Sequence, residues 1–233
     1  MFLMIATRQL KWDHARPACA RLTSLLALLF LVGTAGAAPA PALSREQALQ
    51  SLSHAEVQVR RQAASRLGEI GVMNDTAVLL RALRDADEGT REQAEQAMWR
   101  IWGRSGDRQV DKLYRAGVEQ MDSGELQKSI ATFTRIIRLK PEFAEGWNKR
   151  ATLYFLTGEY RKSLADCAQV IKRNPYHFGA LAGYGQIYLK LEDYERSLEN
   201  FNRALEVNPN MDSVKRNIFL LERLIEQRRR NMI

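Results

Sequence analysis

Tyr160, Lys162, Ser163, Asp166 and Cys167 fall within ten residues, in the stretch GEYRKSLADC (158–167). A serine or cysteine beside a lysine and a carboxylate is the raw material of nucleophilic catalysis. A base withdraws the proton, and the resulting alkoxide or thiolate attacks an acyl or phosphoryl group. Such chemistry needs one unique place in the fold where nucleophile and base meet. These ten positions are instead written three times.

Pro141, Pro175 and Pro209 stand 34 residues apart, and aligning on them stacks GELQKSIATF (124–133), GEYRKSLADC (158–167) and EDYERSLENF (192–201). Ser163 corresponds to Ser129 and Ser197, and Cys167 to Phe133 and Phe201. A nucleophile does not alternate with phenylalanine, whereas a buried helix position does, so Cys167 reads as a small hydrophobe in a core slot. The middle copy carries Trp147, Arg150, Ala151, Tyr154, Ser163, Cys167 and Pro175. The third carries Leu181, Tyr184, Gly185, Tyr188, Ser197, Phe201, Ala204 and Pro209, and the first Leu113, Ala116, Gly117, Gln120, Ser129, Phe133 and Pro141. In period and pattern this resembles the tetratricopeptide repeat (TPR), a helix–turn–helix unit that must stack on its neighbours to bury its apolar face. The resemblance implies units at 110–143, 144–177 and 178–211. Small residues (Gly117, Ala151, Gly185) let the two helices approach, and large ones (Trp147, Tyr154, Phe201) fill the gaps. A buried Trp147 truncated to alanine would cost ~3–5 kcal/mol. Val214, Ile218, Leu221, Leu224 and Ile225 then fall at helical spacing, which predicts a capping helix over 212–230 with a polar face to water.

The resemblance further implies a concave groove lined by the first helix of each unit and open to a peptide or partner helix. Its expected residues are Tyr114, Arg115 and Val118; Glu145, Asn148, Lys149 and Thr152; Gly179, Ala182, Gly183 and Gln186; and Arg216 and Asn217 of the cap. Arg115, Lys149 and Arg216 beside the amides suit a carboxylate or an extended backbone. The Lys/Asn/Arg clamp of chaperone-binding TPR proteins is not expected, because Tyr114, Val118, Gly179 and Gly183 occupy its positions. Gly179 and Gly183 each cost a helix about 1 kcal/mol against alanine. Either a partner's backbone approaches closely there, or these are surface positions free to vary. His177, in the turn after Pro175, reads as an exposed polar residue.

A different period lies upstream. VRRQAASRLGEI (59–70) aligns with TREQAEQAMWRI (90–101) at an offset of 31, pairing Arg60 with Arg91, Ala63 with Ala94 and Leu67 with Met98. This resembles a pair of HEAT-type repeats over 45–103, in which Arg60 and Arg91 bond between helices and Asp85 and Asp87 occupy an interhelical turn. The short stretch GRSGDRQ (103–109) separates the two arrays, so they are expected to abut, with Trp99 and Trp102 against the first TPR helix. The fold class expected is an all-α superhelical solenoid of helix–turn–helix repeats: a HEAT-like pair, three TPR units and a capping helix.

At the N-terminus, Arg8, Lys11, Arg16 and Arg21 precede the apolar block Leu25–Val32 and the run GTAGAAPAPA. This is the pattern of a secretory signal over 1–37, cleaved after Ala37 or Ala38 and leaving no stable membrane anchor. A retained anchor and a mitochondrial presequence are the rival readings. Cleavage leaves 31 Lys/Arg against 26 Asp/Glu, a net charge of +5, and Cys167 as the one cysteine, so no internal disulfide can form. The chain has no G-x-S-x-G, H-E-x-x-H, phosphate-binding glycine loop or Cys-x2-Cys. No catalytic residue, cofactor or metal is expected, and the interspersed acids argue against nucleic acid. The function expected is a non-enzymatic scaffold or adaptor, periplasmic or secreted, that holds a protein or peptide in the TPR groove. The rival is an accessory or regulatory subunit of an envelope-biogenesis enzyme, in cell-wall or cytochrome maturation.

Overall fold

The computed structural model describes residues 42–231, which are helical apart from short connections; the expected signal lies outside them. Four helices form an N-terminal lobe: α1 (Arg45–Ser51), α2 (Val57–Ile70), α3 (Thr76–Ala82, after a 3-10 turn at Met73–Asp75) and α4 (Glu88–Trp102). Ser44 starts α1 with a capping box shared with Gln47, and Asp87 starts α4 by accepting the Thr90 N–H at 2.7 Å. The helices pair as hairpins, α1 with α2 and α3 with α4, and α2 packs along α4. Ala63, Ala64 and Leu67 of α2 meet Ala94, Ala97 and Met98 of α4, all buried.

The two arginines related by 31 positions do the same job. Arg60 Nη1 donates to the His54 and Ala55 carbonyls at 2.9 Å, and Arg91 Nη1 to those of Asp85 and Ala86 at 2.9 and 3.0 Å. Arg60 also grips Asp85 through two hydrogen bonds, of 2.7 and 2.9 Å, as Arg61 grips Asp87 and Arg45 grips Asp75. The Arg60 hydrogen bonds hold the Asp85 carboxyl below its usual range, and those of Arg61 hold Asp87 well below it. Burial works to raise Asp75, yet Arg45 and the Val72 N–H keep it lowered. A carboxylate with a depressed folded pKa contributes stability above its unfolded value, near 4, and loses it as pH falls through the folded value. Thermal melts should therefore hold steady down to about pH 5 and fall steeply below about pH 4. Asp85→Asn should flatten its share of that slope; an unchanged slope would remove the clamp from the account.

The remaining helices follow as pairs: α5 (Arg108–Asp122) and α6 (Leu126–Leu139), α7 (Ala144–Leu156) and α8 (Tyr160–Arg173), α9 (Phe178–Lys190) and α10 (Tyr194–Val207), closed by α11 (Asp212–Asn231). Each second helix packs on the first helix of the next pair, which makes the stack. Within each pair the serine hydroxyl donates to a carbonyl twelve residues earlier: Ser129 to Gly117, Ser163 to Ala151 and Ser197 to Gly185, at 2.7–2.8 Å. The Ser163 hydroxyl is thus a buried strut. Burial pushes the Cys167 thiol up to about 12, so it carries almost no thiolate at neutral pH, and Asp166 is taken up by two hydrogen bonds from Arg150. The apparent catalytic kit is packing.

The turn inside each pair is closed by an N–H reaching back five residues: Glu125 to Gln120, Glu159 to Tyr154 and Asp193 to Tyr188. This geometry needs a left-handed residue, supplied by Gly124 (φ +77°) and Gly158 (φ +78°) but by Glu192 (φ +58°) in the third pair. Glu192→Gly should therefore raise stability by about 1 kcal/mol despite losing a surface contact with Arg228. Urea denaturation checks this, and a loss of stability would refute it.

Two expectations of packing need correction. Trp147 is half-buried: its Nε1–H donates to the Pro141 carbonyl, and its ring lies beneath Arg150 and Arg173. It does not fill a core gap. The cap buries Val214 and Leu221 but leaves Phe219 and Leu220 more than half exposed, so its outer face is not uniformly polar.

Candidate partner-binding face

The first turns of α7 and α9 carry a buried polar chain that begins at a helix cap. His177 Nδ1 accepts the Ala180 N–H at 3.0 Å, satisfying an orphan donor at the start of α9. That bond fixes the tautomer, so Nε2 carries the proton and donates to Glu145 Oε2 at 2.9 Å. Asn148 donates to Glu145 Oε1 at 2.9 Å, Tyr114 approaches the same oxygen at 3.5 Å, and Lys149 Nζ lies 3.7 Å away. Burial would raise the Glu145 carboxyl, but His177, Lys149 and Asn148 hold it below its usual value, so it is ionised. His177 is 0% exposed, not the exposed turn residue its position suggested, because a tryptophan covers it.

That tryptophan comes from the N-terminal lobe. The Trp102 ring stacks on His177 with centroids 4.5 Å apart and planes 23° apart, while Trp99 stands edge-on to both His177 and Phe178. A Cβ on Gly179 would lie 2.4 Å from Trp99 Cη2, so the close approach at this glycine is made by the chain's own indole. Trp99 and Trp102 therefore pack on the third pair, not on the first helix of the array. Four polar contacts reinforce the docking. Arg84 donates to the Glu206 and Val207 carbonyls, Asn208 to Glu95 at 3.0 Å, and Asn210 to the Leu83 carbonyl at 2.8 Å. The lobe thus spans from the start of α5 to the α10–α11 loop and closes the stack on itself.

The expected groove residues divide accordingly. Glu145 and Asn148 are buried, Lys149 and Tyr114 belong to the same network, and Gly179 lies beneath Trp99. Outside that contact, Arg115 and Arg216 are exposed, and Thr152, Gly183, Gln186 and Asn217 are half-exposed. Thr152 returns its hydroxyl proton to the Asn148 carbonyl at 3.0 Å. Gln186 holds a buried Oε1 with no hydrogen-bond partner among the described residues. Sequence reasoning missed Trp99, Trp102 and His177 as parts of this face. The signal was in departures from the periods: Trp99 and Trp102 stand 31 positions after Gly68 and Gly71, and Gly179 stands 34 after Glu145. The Glu145–His177 pair is sealed under an indole, which makes it an anchor and not a proton-transfer site. Among the described residues there is no cluster of three or more metal-binding side chains, and no helix is long and apolar enough to cross a membrane.

Two family models, both described as tetratricopeptide repeat, match residues 114–178 and 181–211. No curated protein sequence matches the chain. Among solved structures, the Sgt2 TPR domain from Aspergillus fumigatus is 25% identical, with 53% of this chain and 83% of that one covered at a TM-score of 0.51. The first TPR of Spaghetti (RPAP3), bound to the HSP90 peptide SRMEEVD, is 20% identical, with coverage of 52% and 96% and a TM-score of 0.50. These likenesses concern the paired-helix stack.

Proposed function

Since residues 114–178 and 181–211 are tetratricopeptide repeats, we propose that the chain is a scaffold or adaptor that holds an extended segment of a partner protein on the part of its concave face left open. The observation that carries this reading is Gln186, which the repeat pattern assigns to the concave face and whose buried carbonyl oxygen lacks a donor among the described residues. A buried acceptor without a partner costs about 1–3 kcal/mol, and a rotation of the half-exposed side chain would bring it to a backbone N–H of a bound segment. Arg115 and Arg216, both exposed and both assigned to the same face by the repeat pattern, favour an acidic segment or a chain terminus. The neighbour whose TPR is bound to an HSP90 peptide supports the general mode of use. We place the protein in the periplasm, on the strength of the signal-like N-terminus, and read the N-terminal lobe as a HEAT-like pair.

In-cell crosslinking of the mature chain tests this, with a variant carrying Arg115→Ala, Gln186→Ala and Arg216→Ala as the control. A periplasmic protein captured by the wild type and lost by the variant is the expected result. Capture unaffected by the variant would move the interface off this face. No capture by a folded, periplasmic chain would end the adaptor reading.

A further inference from the structure

We infer that the aromatic end of α4 is a displaceable, built-in ligand of the concave face, and that a partner using the seat around Glu145, His177 and Gly179 must bring an aromatic side chain and expel Trp99 and Trp102. This deepens the proposed scaffold reading and rests on it.

Three features argue for displacement over a permanent core. First, most of the lobe's core lies within the lobe. Leu67, Leu79, Leu83, Ala94 and Met98 pack among the lobe's own helices, α2 and α3 are the main neighbours of α4, and Phe178 is the one fully buried residue that this core takes from outside the lobe. Second, the connection is built to turn at one point. Arg104 ties the lobe side of the linker to the Gly68 and Gly71 carbonyls, and Ser105 bonds Asp111 of α5. Ser105 is also bonded across Gly106 to Asp107, so the turn falls at the Arg104–Ser105 step, where the bonds to the lobe end and those to α5 begin. Third, the seat is imperfectly filled. Trp102 is 3% exposed, yet its Nε1–H has no acceptor among the described residues. Opening returns that N–H to water and rehydrates the Glu145 carboxylate, both of which favour release. The polar contacts of Arg84, Asn208 and Asn210 hold the lobe at the α10–α11 loop, but the seat itself is filled by aromatic contact area, so the competitor it admits is aromatic.

Native-state hydrogen exchange on the full chain tests this without any partner, which separates its failure from that of the scaffold reading. The amides of 98–102 and 178–181 should exchange together, roughly tenfold or more faster than those around Val170 and Ala204 in the helix interiors. Gly179→Ala, which puts a methyl into Trp99 while favouring the helix, should accelerate both segments again and leave α8 and α10 unchanged. Trans-complementation gives a second readout. Gly179→Ala has an unseated α4, and Trp99→Ala/Trp102→Ala has a vacant seat, so an equimolar mixture should form a heterodimer by light scattering while each variant alone stays monomeric. Exchange of both segments only through global unfolding would overturn the proposal. So would a mixture of two folded variants that remains monomeric.

Discussion

Replacing His177 with alanine should lower the free energy of unfolding by about 3 kcal/mol, more than a turn residue after a proline would suggest. The imidazole does two things at once. Its Nδ1 caps α9, worth about 1 kcal/mol, and its Nε2–H donates to an ionised, buried carboxylate, worth about 1.5–3 kcal/mol. Asn148 and Lys149 remain beside Glu145 in the variant, which keeps the loss from growing further. Urea denaturation of His177→Ala, Glu145→Gln and the double variant closes a cycle. The double variant should lose clearly less than the sum of the singles, because the neutral amide no longer needs the donor. A cost below 1 kcal/mol for His177→Ala, or simple additivity, would mean that the network contributes little.

The second large effect concerns how the two helices of each pair meet. A Cβ on Gly185 would fall 2.5 Å from the Phe201 ring, and one on Gly117 would fall 2.8 Å from Phe133. The middle pair solves the same problem differently, with Ala151 in contact with Cys167. A glycine faces a phenylalanine, or an alanine faces a cysteine. Gly185→Ala should thus destabilise by about 1–3 kcal/mol although alanine is the better helix former. Phe201→Cys alone should cost about 3–4 kcal/mol through the cavity it leaves. The two together reproduce the middle pair and should recover most of the combined loss. Equal and additive losses in chemical denaturation would show that the exchange of volumes is not what sets these positions.

The residues that repeat were the legible ones. Ser129, Ser163 and Ser197 recur because each hydroxyl meets the same carbonyl, and the prolines recur because each ends a second helix, so a 34-residue register exposes the stack. Arg60 and Arg91 are legible in the same way, through an identical pair of carbonyls at a 31-residue offset. The closure was not legible. It joins two arrays of different period through residues that break both, and no local rule links position 99 to position 179. Trp99 was read against its chain neighbour α5 because adjacency is the default for consecutive elements. His177 was read as a polar turn residue because the indole that covers it lies 75 positions upstream. The repeat pattern assigns the expected groove residues to one face, and the lobe covers some of them: Gly179 lies beneath Trp99, and Glu145 and Asn148 are buried.

Closure also fixes how many repeats the protein can hold. In an open array a unit can be added or lost at an end, because each contacts only its neighbours and stability changes by one increment. Here Leu83 and Glu95 reach Asn210 and Asn208 across more than a hundred positions, and they do so only because three intervening pairs carry the α10–α11 loop to where the lobe waits. A fourth pair inserted after residue 211 would leave that loop in register but bury its far side. One inserted before residue 177 would carry His177 and Phe178 away from the tryptophans and strand two indoles in water. Gene duplication, the ordinary route by which such arrays lengthen, is therefore closed on one side of the third unit.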